Sequence, residues 1–277
     1  YKVNPIGIDV ARPRLSWKIK SDSRGVLQTA YHVQVSHDDS TFTNIVWDSG
    51  KVNTDQSVHV EYTGSALKSR TRYYYRVKIW DNKGNISDWS EPAFWEMGLI
   101  ESSEWKADFI TPDFGVDGDN SEACPMLRKT FRVNGKVKRA RIYATSLGLY
   151  ELYLNGTRVG DFLFTPGWTS YNKRLQYQTY DITDMLSDGE NTVGIILGNG
   201  WYKGNLAWEK KKNIFGDKLA ALMQMHITYE DGKEEVVVTD NGWKASTGPI
   251  LMSEIYHGEI YDARLEKEGW STNAFDD

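Results

Sequence analysis

A chain of 277 residues with 40% hydrophobic and 13% aromatic content can bury a real core, and its length suggests two domains. Its net charge of −5, with acidic and basic residues interspersed, leaves no basic patch for a phosphate backbone and argues against nucleic acid as a partner. Cys124 is the single cysteine, so a disulfide within the chain is excluded, and no apolar run approaches the length of a membrane span.

The first hundred residues alternate. Leu15, Trp17 and Ile19 fall two apart, as do Tyr31, Val33 and Val35; Val58, Val60 and Tyr62 repeat the pattern, and so do Tyr73, Tyr75, Val77 and Ile79. Period two broken by turn signals such as "DNKGN" predicts half-buried antiparallel strands, and about seven such runs fit a sandwich domain. The early Trp17, the Tyr-rich late strand and "SDWSEP" before the last strand resemble a fibronectin type III domain over residues 1–98.

The character changes at "MGLIESSEWKADFITPD", after which "DFGVDGDNSEACP" reads as a polar loop. Strands resume at "MLRKTFRV" and continue through "LQYQTYDIT", "NTVGIILG" and "EEVVVTD", while "LNGTRVG" and "YEDGKEE" carry the glycines of hairpin turns. The helix signals are short; in "DITDMLSDGEN", Asp181 or Thr183 is placed to cap one turn. Residues 99–277 are therefore expected to form a second all-β unit of jelly-roll type.

Within it, "GIILGNGWYKGNLAWEKKKN" breaks an apolar run at Gly198-Asn199-Gly200 and then presents Trp201, Tyr202 and Trp208 before a lysine run, Lys210 to Lys212. Glycines on both sides of an aromatic pair cost chain entropy and need a reason. Either Trp201 fills the core at a strand end, or the rings form a platform for an apolar sugar face. No helix is expected after these glycines, so a phosphate cradle is excluded.

Glycosidases place two acids across one bond. The candidates here are Glu254, Glu259 and Asp262 in "SEIYHGEIYDARLEKEGW", with His257 beside them. Alternation sets Glu254 on the opposite face from Ser253 and His257, and a bulge at Gly258 could turn Glu259 to either side. The competing reading is an edge strand with solvated acids. Calcium is the metal worth weighing, from Asn199 with neighbouring carbonyls or from "DGDN" at 117–120. The sequons at Asn85 and Asn155 have meaning only in a secreted eukaryotic protein.

Four ordered motifs, "LYELYLNGTRVGDFLFTPGWTSYNKRLQYQTYDIT", "GENTVGIILGNGWYKG", "FGDKLAALMQ" and "SEIYHGEIYDARLE", together resemble the N-terminal β-sandwich of bacterial α-L-rhamnosidases, glycoside hydrolase family 78. A fibronectin-like domain often precedes that sandwich in the family. The resemblance implies an accessory role beside a downstream (α/α)6 catalytic barrel that carries the acids, and no part of this sequence reads as that barrel. It also implies a module that in some members binds rhamnose through calcium. If this sandwich binds sugar, Asn199, Trp201 and Tyr202 are expected to line one shallow surface groove with Trp208 as a wall, because the methyl group and apolar ring face of rhamnose suit aromatic contact and its vicinal hydroxyls suit an amide or a calcium ion. Asn199 stands where the family motif often has Asp, so a calcium site here is expected to be weaker or absent. The rival reading is a free-standing adhesion or scaffold protein that binds a protein partner. The chain starts at Tyr1 without a signal peptide and both ends read as cut from something longer, which leaves a bacterial cytoplasmic or secreted location open.

Overall fold

In a computed structural model, which describes residues 3–114, 123–206 and 211–276, the chain divides into two compact units, Tyr1–Trp105 and Lys106–Asp277. Both are built almost wholly from antiparallel strands.

The first unit has six strands: β1 (Arg14–Leu15), β2 (Gln28–His37), β3 (Ile45–Asn53), β4 (Val60–Glu61), β5 (Arg72–Asp81) and β6 (Ala93–Glu96). They form a four-stranded sheet in the order β3-β2-β5-β6 and a β1–β4 pair, a fibronectin type III-like sandwich. Period two does the sorting: Tyr31, Val33 and Val35 of β2, and Tyr73 and Val77 of β5, point into the core. There Trp95 stacks on Tyr73 with centroids 5.4 Å apart. The alternation around Trp17 and Val58 does not extend β1 and β4, and Ile19 and Val58 are exposed. His59 sits at φ 55°, which turns the chain just before Val60. Trp17 is instead held singly, by its amide to the Ser57 carbonyl and by its indole N–H to Gln28 Oε1 at 2.8 Å.

The second unit continues with β7 (Pro125–Val133), β8 (Val137–Leu147), β9 (Leu149–Leu154), β10 (Thr157–Arg158), β11 (Gln178–Asp181) and β12 (Gly189–Gly198). A one-turn helix α1 (Gly200–Lys203) follows, then β13 (Ala220–Tyr229), β14 (Glu234–Val238), β15 (Lys244–Thr247), β16 (Ile250–Glu254) and β17 (Gly258–Tyr261). A five-stranded sheet, β10-β9-β12-β7-β15, faces a four-stranded sheet, β11-β8-β13-β14. Between them lies an apolar layer that includes Ile142, Leu152, Leu154, Ile195, Leu197, Met223 and Ile227. The β9–β10 turn uses Asn155 at φ 50° and Gly156 at φ 83°, the left-handed pair a two-residue hairpin needs. Ile182, and neither Asp181 nor Thr183, takes the N-cap position of the short 3-10 turn Thr183–Met185, and Asp181 one residue earlier accepts from the Thr183 amide at 3.1 Å.

The outer face of the five-stranded sheet is crossed by residues 262–276. Trp270 lies flat on Gly194 of β12, where an added Cβ would come within 2.5 Å of its ring, and meets Tyr153 edge-on at 5.5 Å. Arg128 of β7 donates to the Thr272 carbonyl at 2.8 Å and lies over the Phe275 ring. Among the described residues no helix is long and apolar enough to cross a membrane.

Candidate functional site

The glycines that flank the aromatic pair have a steric cause. Val193, Ile195 and Leu197 of β12 plug the core, so β12 must end abruptly at the sandwich rim. Gly200 takes φ 52°, and a Cβ there would lie 2.5 Å from Leu149 Cγ. A helix does follow, contrary to the expectation from sequence. It is a single turn in which the Asn199 carbonyl accepts from the Lys203 amide at 3.2 Å, too short to gather the amides of a phosphate site.

That turn divides the sequence-selected residues. Asn199 is only 4% exposed, and its side-chain amide donates to Glu254 Oε1 at 3.4 Å. Glu254, 6% exposed, accepts the Asn205 backbone amide on its other oxygen at 3.0 Å, and the Asn205 side chain reaches His257 Nδ1 at 3.3 Å. Tyr202 is buried, edge-on to Tyr171 at 5.3 Å and pressed on Gly216, where no Cβ could fit beneath its hydroxyl. Burial, with the Asp217 charge adding to it, pushes its hydroxyl pKa up. Of the described members of the set, Trp201 alone reaches the surface, half-buried. Trp208 lies outside the described residues.

At the surface Trp201 has partners that sequence reasoning missed. Trp168 runs parallel to it, centroids 5.8 Å apart and planes 7° apart, and Phe164 tilts against it at 5.9 Å. Phe164 (60% exposed), Leu163 (69%) and Trp168 (57%) come from the long β10–β11 loop. Thr165 ties that loop to β9 by a pair of bonds with Tyr150, its carbonyl accepting the Tyr150 amide and its hydroxyl donating to the Tyr150 carbonyl. Phe164 itself sits at φ 55°, an uncommon conformation for a bulky residue, and is turned outward. The available signal was three consecutive apolar residues, Phe162-Leu163-Phe164, against Pro166-Gly167, a run with no strand period.

The acids do not form a catalytic pair. Register sets Ser253 opposite Glu259 and Glu254 opposite Gly258, so the two glutamates project from opposite faces of the β16–β17 hairpin. Asp262 caps the turn Ala263–Leu265 and pairs with Arg264. Cys124 is buried, and its thiol pKa is pushed up to about 12 chiefly by burial, which leaves it no thiolate at neutral pH. Calcium is not suited to Asn199 as it is placed. A hard cation needs six or more oxygens, whereas both oxygens of the neighbouring Glu254 face N–H donors. Among the described residues no group of three acidic, His or Cys side chains could hold a metal, and the 117–120 loop lies outside them.

The "Alpha-L-rhamnosidase N-terminal domain" family matches residues 135–277, and the "Rha78A-like, N-terminal immunoglobulin domain" family matches residues 1–101. An α-L-rhamnosidase of Formosa agariphila is 39% identical over 99% of this chain and 31% of its own length. The crystal structure of the Aspergillus terreus α-L-rhamnosidase superposes with a TM-score of 0.89 at 37% identity, over 98% of this chain and 31% of that one. The Streptomyces avermitilis α-L-rhamnosidase, solved in complex with L-rhamnose, gives 0.93 at 28% identity, over 100% of this chain and 43% of that one. The chain thus spans about a third of the length of the curated relatives it matches (31–43%). The Streptomyces avermitilis alignment runs over 444 positions against 277 residues here, so within it that relative carries residues with no counterpart in this chain.

Proposed function

The chain belongs to the α-L-rhamnosidase N-terminal domain family, and from that premise we propose that it is the non-catalytic N-terminal part of an α-L-rhamnosidase, supporting a downstream catalytic domain. The observation that carries this reading is the coverage: the relatives match almost all of this chain with about a third of themselves. The separation of Glu254 from Glu259 supports the absence of catalysis, because glycoside hydrolysis needs two carboxyl groups flanking one bond. Incubating the 277-residue chain with an aryl α-L-rhamnoside is expected to give no turnover. Hydrolysis that disappears in Glu254→Gln or Glu259→Gln would overturn the reading.

The parallel Trp168–Trp201 pair favours a second element of function, a weak platform for a rhamnosyl group. Rhamnose has a methyl group and an apolar ring face that suit such rings. Asn199 and Tyr202 act in this reading from below, holding α1 so that Trp201 keeps its place. An exposed monosaccharide buries little area, so a Kd of about 1 mM, worth ~4 kcal/mol, is expected. Titration with L-rhamnose, followed by tryptophan fluorescence and amide shifts, should saturate with and without calcium and vanish in Trp168→Ala. An unsaturable response in the unaltered chain leaves the rings without a sugar role. The rival adhesion-protein reading predicts a reading frame that stops near residue 277, whereas the accessory reading predicts several hundred further codons.

A further inference from the structure

Adjoining the Trp201 surface, and sharing Phe164 with it, the second unit has a groove of about 940 Å³ on the outer face of its five-stranded sheet. Its floor is the outward side of β9 and β12, with Tyr153, Ile196 and Gly198; its walls are Leu163 and Phe164 on one side and Trp270 on the other. Ser253, Glu259 and Tyr261 of the hairpin close one end, and Glu266 to Thr272 line the rim. The apolar wall continues outward into exposed Phe162 and Trp168.

Charge sets the chemistry of whatever fills it. Glu151 already pairs with Arg158 at 3.3 Å, and Glu266 accepts from the Tyr261 hydroxyl at 2.6 Å. Glu259 and Glu268 have no basic partner among the described residues. An apolar cover that closed over an unpaired carboxylate would strip it of water without compensation. A stable cover must therefore bring a cation as well as apolar surface.

Resting on the accessory-domain reading above, we propose that this groove seats a segment of the downstream polypeptide, with an apolar tip against Ile196, Leu163 and Phe164 and an Arg or Lys side chain toward Glu259 and Glu268. Three observations favour this occupant over a second copy of the chain or a free ligand. The relatives are about three times as long as this chain, the rim is formed by residues 266–272, late in the chain, and the groove's charge without an ion partner is net negative, with Glu259, Glu266 and Glu268 against Lys267 alone.

Hydrogen exchange of the 277-residue chain and of the longer rhamnosidase tests this directly. Amides of the hairpin and of residues 163–164 should exchange at least about tenfold more slowly in the longer protein. The paired substitutions Glu259→Lys and Glu268→Lys should abolish that difference while leaving the melting temperature of the short chain unchanged. Equal exchange in the two forms overturns the inference, as does protection that survives charge reversal. So does a short chain that dimerises with its groove protected. An active longer enzyme with an unprotected groove defeats this inference alone, whereas a reading frame that stops at residue 277 defeats the accessory reading with it.

Discussion

Glu254→Ala is expected to lower the stability of the second unit by about 2–4 kcal/mol, because it strands two buried donors at once. These are the Asn205 backbone amide and the Asn199 side-chain amide, both of which the Glu254 carboxylate accepts in a site closed to water. Each unsatisfied buried donor costs about 1–3 kcal/mol. The loss should be local as well as global, since Asn199 and Asn205 bracket α1 and so fix Trp201 against Trp168. Urea unfolding measures the first effect, and a change in tryptophan emission before the main transition measures the second. Glu254→Gln keeps one acceptor and should recover most of both. A stable Glu254→Ala protein with unchanged emission would falsify the view that this carboxylate anchors the turn.

Above about pH 10 the second unit should unfold cooperatively, because folding holds a set of phenols and one thiol in their neutral forms. Burial pushes Tyr171 up to about 12; burial, with the Glu151 hydrogen bond and charge, takes Tyr153 there as well. Cys124 also reaches about 12, chiefly by burial. Tyr150 is raised well above the ordinary phenol value, again chiefly by burial, with Tyr180 opposing its ionisation at 3.0 Å between hydroxyls. A proton held more tightly in the folded state favours folding fully below the unfolded pKa, about 9 for the thiol and 10 for the phenols. That advantage is lost as pH climbs through the folded values near 12, where the native chain must itself ionise buried groups. Phenolate absorbance and circular dichroism recorded together provide the measurement. The phenolates should appear late and in step with loss of the sheet signal; free titration near 10 with the fold intact would sink the idea.

How far the sequence could be read depended on the range of the interaction involved. Strand β5 was legible because Tyr73 and Val77 obey period two within one segment, and the β9–β10 turn because Asn155-Gly156 carries its own backbone preference. The end of β1 was not, since it depends on His59 turning at φ 55°, more than forty residues away. At the candidate site, Gly200 announced a close approach, and Leu149 supplies it. The burial of Asn199 could not be foreseen, because the carboxylate that holds it is Glu254, 55 residues further on. Trp168 was missed for a related reason. It lies in a loop without periodicity, and bonds to distant strands, from Thr165 to Tyr150 and from Gln178 to the Pro166 carbonyl, bring it to Trp201.

The strap across the outer sheet also sets a timetable for synthesis. The first unit has every strand it needs once residue 96 is made. The second cannot settle β7 and β12 until Trp270 reaches Gly194 and Thr272 reaches Arg128, 144 residues behind it. At ribosomal speeds of about 5–20 residues per second, β7 waits on the order of ten seconds with its outer face uncovered. During that interval Met126 and Ile196, which later floor the groove, are open to any passing apolar surface. Of the two units, the second therefore waits longer on a distant segment, and a chain released before residue 270 is expected to be more aggregation-prone than one that includes the strap.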